Sequence, residues 1–253
     1  MSIPVDSVLL WALVFTRLGA LLGFLPAIGE RSIPIRIRVA LAGLTSLVFV
    51  PLLPPTDAIA LNASYLVVLF LKELSVGVLM GLAARMTFYL VDLAGRIIAQ
   101  EAGLARLDSF DPISQTQSTA LTVLYFNLAA VAMMSLGIHH EIIAACVRSF
   151  HLVPIGNVWP APFGVETFVR TTNDLFEIAV RMAGPVIAVN LVINLTFAVL
   201  GKAAPKINVF ITSFAVRVLA GLWLLGATVG LIASYIVGSL QDAPLRMLHF
   251  LGL

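Results

Sequence analysis

Long apolar stretches, separated by charged residues and prolines, make up most of the chain. They are Ser7–Ile28, Val39–Leu53, Ala58–Ala84, Thr119–Ile138, Met182–Gly201 and Val218–Leu240. An α-helix needs ~20 apolar residues to cross the hydrocarbon core of a bilayer, and the last three stretches reach that length with no internal charge. The pattern predicts an all-α polytopic membrane protein of about six hydrophobic helical segments. Residues 1–253 are expected to form a single integral-membrane domain.

The composition narrows the class further. Hydrophobic residues make up 60% of the chain and charged residues 11%, and the mean hydropathy is +1.04, whereas soluble domains are about 25% charged. A soluble enzyme and a disordered chain are therefore excluded, and a net charge of +2 is too weak to attract nucleic acid. Lys and Arg are concentrated in the loops after the first, third and fifth stretches, so the positive-inside rule favours an N-terminus outside the membrane.

Small residues recur at four-residue spacing in three of the apolar stretches. The sets are Gly19 with Gly23, Gly77 with Gly81, and a ladder of Gly226, Gly230, Ser234 and Gly238. Glycines at this spacing let helix backbones approach closely, which favours helix association in lipid. We therefore expect these faces to pack in a dense assembly of helices.

Polar and ionisable side chains interrupt the apolar stretches at a few positions. Asn190 and Asn194 share one helical face, where they either line a polar pore or form hydrogen bonds between helices, and we expect Asn194 to be buried against protein. Arg17 and Glu73 form a candidate intramembrane ion pair, because ionisable groups at this depth face protein or water rather than lipid. Lys72 is predicted not to pair with Glu73, because adjacent residues on a helix point apart.

The search for catalytic chemistry finds no motif. His139, His140 and Glu141 are adjacent, but they lack the four-residue histidine spacing that places two metal ligands on one helical face. The single cysteine, Cys146, excludes an intramolecular disulfide and a cysteine-based metal cluster. The chain has no nucleophile elbow, phosphate-binding loop or dinucleotide turn. We therefore predict a protein that is not an enzyme and that binds no cofactor and no metal ion.

A series of short motifs runs through nearly the whole chain. The first comprises Arg17, Pro26 and the run Gly29-Glu30-Arg31-Ser32-Ile33-Pro34-Ile35-Arg36. The others are Lys72-Glu73 with Gly77 and Gly81, Ala94-Gly95 with Gly103 and Asp111-Pro112, Phe150 with Pro154 and Gly156, and Pro185 and Asn194 followed by Ala204-Pro205-Lys206-Ile207-Asn208. Their order and spacing resemble the FliR family of the flagellar type III protein export apparatus. The departures are Ser213-Phe214-Ala215, where members commonly have Gly-Phe-Pro, and Arg96, where many have Glu.

The resemblance implies a structural channel subunit. FliR-like proteins form, with FliP and FliQ, the helical core channel through which unfolded export substrates cross the bacterial inner membrane, and FlhB associates with that core. The subunits of the core are bent helical hairpins, and the core stands largely above the plane of the bilayer. By this resemblance the chain is expected in the flagellar basal body. A counterpart from virulence-type secretion is one alternative, and a small-solute or ion transporter is the other.

The resemblance also implies a plug that occludes the channel lumen, at Ala105–Gln117. Its candidate gating residues are Leu107, Asp108, Phe110, Asp111, Pro112 and Ile113. The apolar members of this set can exclude water from a pore, and Pro112 forces the chain out of helical geometry. A solvated loop between two helices is the alternative interpretation of the same residues.

Overall fold

The computed structural model describes residues 5–26, 33–53, 62–105, 120–156, 165–206 and 208–252. The helices are α1 (Val5–Phe24), α2 (Ile35–Phe49), α3 (Ala63–Glu101), α4 (Ala120–Ser135), α5 (Ile138–Leu152), α6 (Val165–Ala203) and α7 (Val209–His249), with a 3₁₀ turn at Val50–Leu52. No strand occurs in these ranges. By length and composition, five of the described helices can cross a membrane, or there are six spans if α4 and α5 count as one broken span. The prediction of an all-α polytopic membrane protein is confirmed.

Three helices are much longer than the apolar stretches that predict them. α3, α6 and α7 have 39, 39 and 41 residues, which is about 58–62 Å at 1.5 Å per residue. The hydrocarbon core is only ~30 Å thick. Hydropathy marks the apolar part of each helix, whereas the remainder continues as an amphipathic helix. α3 therefore extends well beyond Ala84, and α6 begins well before Met182.

The fourth apolar stretch is broken near its end. α4 ends at Ser135 and α5 begins at Ile138, with a bend of 70° between them. Gly137 makes the break, because its φ of 70° lies in the left-handed region that residues with a Cβ avoid. The prediction of one helix over Thr119–Ile138 is therefore wrong at its C-terminal end.

The chain divides into two compact units, and the first comprises residues 1–87, 133–172 and 241–253. Its core contains fully buried apolar side chains of α1 and α3, among them Leu13, Leu18, Leu21, Val76 and Met80. Trp11 Nε1 on α1 donates a hydrogen bond to the Gly43 carbonyl on α2 over 3.3 Å. α2 is otherwise largely exposed, since only three of its residues are buried.

The second unit comprises residues 88–132 and 173–240. Its helices approach each other most closely at two glycines. A methyl group built on Gly95 would lie 3.2 Å from the Thr122 backbone, and one built on Gly221 would lie 2.5 Å from Ala102 Cβ. The end of α3 thus packs directly on the backbones of α4 and α7, which leaves room for only small residues at these two positions.

Candidate functional site

A buried ionic cluster lies in the core of the first unit. Arg17 Nε donates to Glu73 Oε2 over 2.6 Å, and neither side chain has exposed surface. The Arg17 guanidinium also donates to Ser149 Oγ over 3.0 Å and to the Val153 carbonyl over 2.9 Å. Its central carbon lies 3.9 Å from the centroid of the Phe150 ring. The predicted ion pair is therefore present, and its arginine is further satisfied by α5 and the turn that follows α5.

Lys72 joins this cluster, contrary to the prediction from helix geometry. Its Nζ lies 3.0 Å from Glu73 Oε1 and donates to the Pro154 carbonyl over 2.7 Å. The rule that adjacent residues diverge describes the directions of their Cβ atoms, whereas a lysine side chain has a flexible four-carbon stem. The stem brings the ammonium group back to the neighbouring carboxylate. The cluster thus contains two cations and one anion.

The turn at residues 153–156 is held by its backbone carbonyls. Besides the two cationic donors of the cluster, Tyr65 Oη on α3 donates to the Gly156 carbonyl over 2.6 Å. A backbone carbonyl oxygen accepts hydrogen bonds and carries a partial negative charge, so the Val153 and Pro154 carbonyls offset the excess positive charge of the cluster. Pro154 and Gly156 belong to one of the motifs named above, and they shape the turn that the cluster binds.

A second polar cluster lies in the second unit. Asn190 Nδ2 donates to Glu101 Oε2, and Arg217 Nη2 donates to Asn194 Oδ1 over 2.6 Å. Both asparagines therefore form hydrogen bonds between helices, as one of the two interpretations of their spacing predicts. Asn190 is buried, but Asn194 is exposed. Asn194 lies on a turn of α6 that this chain leaves exposed over most of its circumference, so its burial against protein stays a prediction for the contact with another subunit.

The glycine pair on α3 is a packing face. A methyl group built on Gly77 would overlap the Arg17 carbonyl oxygen and lie 2.8 Å from Ala20 Cβ. One built on Gly81 would lie 2.6 Å from Phe24 Cβ. The backbones of α1 and α3 therefore touch along this face, which brings Glu73 within reach of Arg17.

The glycine ladder on α7 has the same spacing but a different environment. A methyl group built on Gly226, Gly230 or Gly238 would meet no described atom within 4 Å. Gly226 and Gly230 are exposed. Five positions before Gly226, by contrast, Gly221 packs against Ala102 inside the second unit. The ladder is thus available for a contact outside the described part of this chain.

The remaining motif residues lie at helix ends or outside the described ranges. Pro34 precedes α2, and Pro205 follows α6, where a proline cannot continue a helix. Asn208 Oδ1 accepts a hydrogen bond from the Ile211 backbone over 3.3 Å and thereby caps the first turn of α7. The residues outside the described ranges are Glu30, Arg31, Leu107, Asp108, Phe110, Asp111, Pro112 and Ile113.

Sequence reasoning missed the residues that complete both clusters. Ser149 and Tyr65 carry no motif signal for the contacts that they make, and Glu101 and Arg217 lie 89 and 23 positions from their amide partners. One signal was available. An arginine has five N–H donors, so a single carboxylate cannot satisfy a buried Arg17, and further acceptors had to exist.

The fold and these two clusters define a polytopic helical membrane protein whose buried polar groups join its helices. Residues 8–243 match the family described as Bacterial export proteins, family 1, and the chain belongs to this family. The resemblance to FliR is confirmed.

Several curated relatives extend over most of this chain. The flagellar biosynthetic protein FliR of Caulobacter vibrioides is 31% identical over 223 residues, which are 88% of this chain and 89% of the relative. The FliR protein of Escherichia coli is 28% identical, over 89% of this chain and 85% of its own length. That of Bacillus subtilis is 26% identical, over 86% and 85%.

Proposed function

We propose that this chain is a structural, non-enzymatic channel subunit of the flagellar type III protein export gate. With FliP-like and FliQ-like subunits it forms the pore through which unfolded flagellar proteins cross the inner membrane. An FlhB-like subunit associates with this core at the flagellar basal body. The matched relatives carry names from flagellar biosynthesis, which favours the flagellar branch over virulence-type secretion.

The observation that carries the proposal is a close-packing surface on α7 that the described chain leaves uncovered. Large apolar side chains are exposed from Phe210 to Leu231, a distance of about 32 Å along the helix, which one crossing of a ~30 Å hydrocarbon core accommodates. The glycine ladder extends further, to Gly238, and a methyl group built on any of its glycines would meet no described atom within 4 Å. Glycines at this spacing favour helix association in lipid, which supports membership of a larger helical complex.

α6 carries a charged stripe along its first half. The stripe consists of Glu166, Arg170, Asp174, Glu177 and Arg181, all of them exposed. At 100° per residue these positions fall within about 80° of arc on one face. Glu166 pairs with Arg170 over 2.6 Å, and Glu177 pairs with Arg181 over 2.5 Å. Exposed charges that are paired along their own helix suit water, whereas each charged side chain in hydrocarbon costs about 2.5–3.5 kcal/mol.

The same face of α6 becomes apolar after Arg181. Up to Leu200 its exposed residues are Ala188, Val192, Leu195 and Val199, and the exposed Lys202 follows near the end of the helix. Pro185 lies at this change and has no N–H to donate to the Arg181 carbonyl. We infer that α6 enters hydrocarbon near residue 182, and that its first ~26 Å lie in an aqueous compartment. This agrees with the implied position of the export core above the bilayer plane.

The glycine ladder on α7 is the surface that we assign to a partner subunit. Its small residues permit close approach of another helix, and nothing in the described chain uses them. The proposed plug, at Ala105–Gln117, rests on the family resemblance. We expect it to close the lumen in the resting complex by excluding water and ions.

An export assay in the native bacterium tests this proposal. In a strain that lacks this gene, flagellar filament protein should accumulate in the cell and be absent from the medium, and a plasmid copy should restore its secretion. A protein exported by the general secretory pathway serves as the control and should be secreted normally. Normal secretion of filament protein without this chain would contradict the proposal.

A further inference from the structure

A small cleft in the second unit is lined by a carboxylate, an amide and a guanidinium group. It lies between α3, α6 and α7 and offers about 10 Å³ of space to the centre of a water-sized sphere. The polar side chains that line it are Glu101, Asn190 and Arg217, and the apolar ones include Val186, Ile193 and Leu224. The three polar side chains contribute to none of the contacts on which the proposed function rests.

The orientation of the Asn190 amide is fixed by its acidic neighbour. An ionised carboxylate can only accept hydrogen bonds, so the amide NH₂ group must face Glu101, as it does. The carbonyl oxygen Oδ1 is thereby turned away from Glu101. Asn190 is only 8% exposed, and its Oδ1 is buried with no hydrogen-bond donor among the described residues. One buried acceptor that lines the cleft is thus left for a further group.

Arg217 presents the complementary donor. Its Nη2 is engaged by Asn194, and its Cδ would lie 3.6 Å from a methyl group built on Gly103. Its Nε is buried and has no acceptor in the described part of the chain. A buried polar group without a partner costs about 1–3 kcal/mol, and such groups in native proteins are usually satisfied by ordered water. The cleft therefore presents one hydrogen-bond donor, Arg217 Nε, and one acceptor, Asn190 Oδ1, that have no partner among the described residues.

The charges of the cleft are separated. No ion pair joins Glu101 to Arg217 within the described ranges, although both line the same space. Asn190 donates to the Glu101 carboxylate, whereas its own Oδ1 and Arg217 Nε have no partner among the described residues. A molecule that accepts one hydrogen bond and donates another would connect them. To hold one water molecule, a cavity needs about 10–15 Å³ of space on this measure and two to four polar partners, and the cleft has the size and the partners for one.

We propose that the cleft binds one ordered water molecule, which accepts a hydrogen bond from Arg217 Nε and donates one to Asn190 Oδ1. The hydrogen bonds then run from the guanidinium group through water and the Asn190 amide to the Glu101 carboxylate. Every donor in this series of hydrogen bonds points towards the Glu101 carboxylate. Each dipole is therefore aligned with the field between Arg217 and Glu101, and the hydrogen bonds strengthen one another. This series of hydrogen bonds links α3, α6 and α7, and it connects Glu101 to Arg217, which form no ion pair with each other.

A high-resolution structure of the full-length protein, purified in detergent with the subunits that accompany it, tests the site directly. The expected result is a solvent peak within hydrogen-bonding distance of both Arg217 Nε and Asn190 Oδ1. An empty cleft in a map that shows other buried waters would overturn the proposal. Direct contact between the two side-chain atoms would overturn it as well.

A double-mutant cycle tests the coupling. The variants are Glu101→Gln, Arg217→Met and the pair of them, and the measurement is the thermal unfolding midpoint of the full-length protein in detergent. We expect the pair to lower the midpoint by clearly less than the sum of the two single shifts. This non-additivity should vanish when Asn190→Ala is added, because that substitution interrupts the series of hydrogen bonds between Arg217 and Glu101.

Asn194→Ala is the matched control for the cycle. Asn194 lies on the same face of α6 and binds the same arginine, but it is not between Arg217 and Glu101. The coupling should therefore persist in its background. Additive shifts in the unsubstituted protein, or the same coupling in both alanine backgrounds, would overturn the proposal.

Discussion

Glu73→Gln is the substitution that tests the buried cluster most sharply. Glu73 is the anion that faces both cations, at 2.6 Å from Arg17 and 3.0 Å from Lys72. Glutamine preserves the shape of the side chain and removes its charge. The two cations then remain buried beside each other without a counter-charge. Their acceptors are Ser149 Oγ, the Val153 and Pro154 carbonyls and the neutral amide oxygen of the glutamine.

The expected loss of stability follows from the geometry. Removing one partner of a buried ion pair costs about 3–5 kcal/mol, and two unit charges 4 Å apart interact by about 4 kcal/mol at an effective dielectric constant of 20. A loss of this size raises the unfolded fraction roughly 100- to 5,000-fold. For a chain of this length it lowers the unfolding midpoint by about 6–20 °C.

Lys72, the second cation of the cluster, provides a further test of the same electrostatic interaction. Lys72→Met alone removes a charged hydrogen bond to the Pro154 carbonyl, for which about 1.5–3 kcal/mol is typical. In the Glu73→Gln background the same substitution also removes repulsion from Arg17. We therefore expect Lys72→Met to lower the midpoint clearly in the native sequence and little or not at all beside Glu73→Gln.

The chain contains its own reporter for this experiment. Cys146 is the single cysteine, and it is fully buried in the same unit. A dye that fluoresces on reaction with a thiol will report its exposure when the detergent-solubilised protein is heated. Glu177→Gln, which breaks an exposed pair with Arg181, is the control and should change stability by less than about 1 kcal/mol. The reasoning is refuted if Glu73→Gln unfolds at the same temperature as this control.

Three further predictions address the α7 ladder, the α6 stripe and the plug. Gly230→Leu should abolish co-purification of the FliP-like subunit without lowering the stability of the isolated chain, whereas Gly221→Leu should destabilise the chain itself because its side chain meets Ala102; normal co-purification with Gly230→Leu would argue against the ladder as an interface. In native membranes a cysteine at Asp174 should react with a water-soluble thiol reagent and one at Leu195 should not, and equal reaction at both would contradict a hydrocarbon boundary near residue 182. Deleting Leu107–Ser114 should leave the complex assembled and make the membrane leak small ions, measured as conductance; an assembled complex that stays tight would show that this segment is not the seal.

The Arg17–Glu73 pair shows how far sequence reasoning reaches in this molecule. Ionisable residues inside apolar stretches face protein or water and pair with one another or with backbone carbonyls, so a pair of opposite sign could be predicted without a structure. The position of the Lys72 ammonium group could not, because it depends on the conformation of a flexible stem and on the turn after α5. The Glu101–Asn190 contact was out of reach as well, because it joins residues 89 positions apart.

The glycines show a similar limit of sequence reasoning. Gly77 and Gly230 belong to sets with identical spacing, yet among the described residues Gly77 touches another helix and Gly230 does not. The spacing indicates that a backbone can approach closely, but it does not identify the partner helix. Gly221 has no glycine or serine four residues before it and packs tightly nonetheless. Hydropathy alone underestimates the helix lengths, whereas the amphipathic pattern over Val165–Arg181 indicates the first half of α6, which begins at Val165.

The composition of the complex that contains this chain decides whether the chain is a subunit of an export gate. The measurement is the mass and subunit content of the particle obtained when the affinity-tagged chain is purified from native membranes in a mild detergent. We expect one large particle that contains FliP-like and FliQ-like subunits together with this chain. A monomer, or a small assembly of this chain alone in the same detergent, would contradict it.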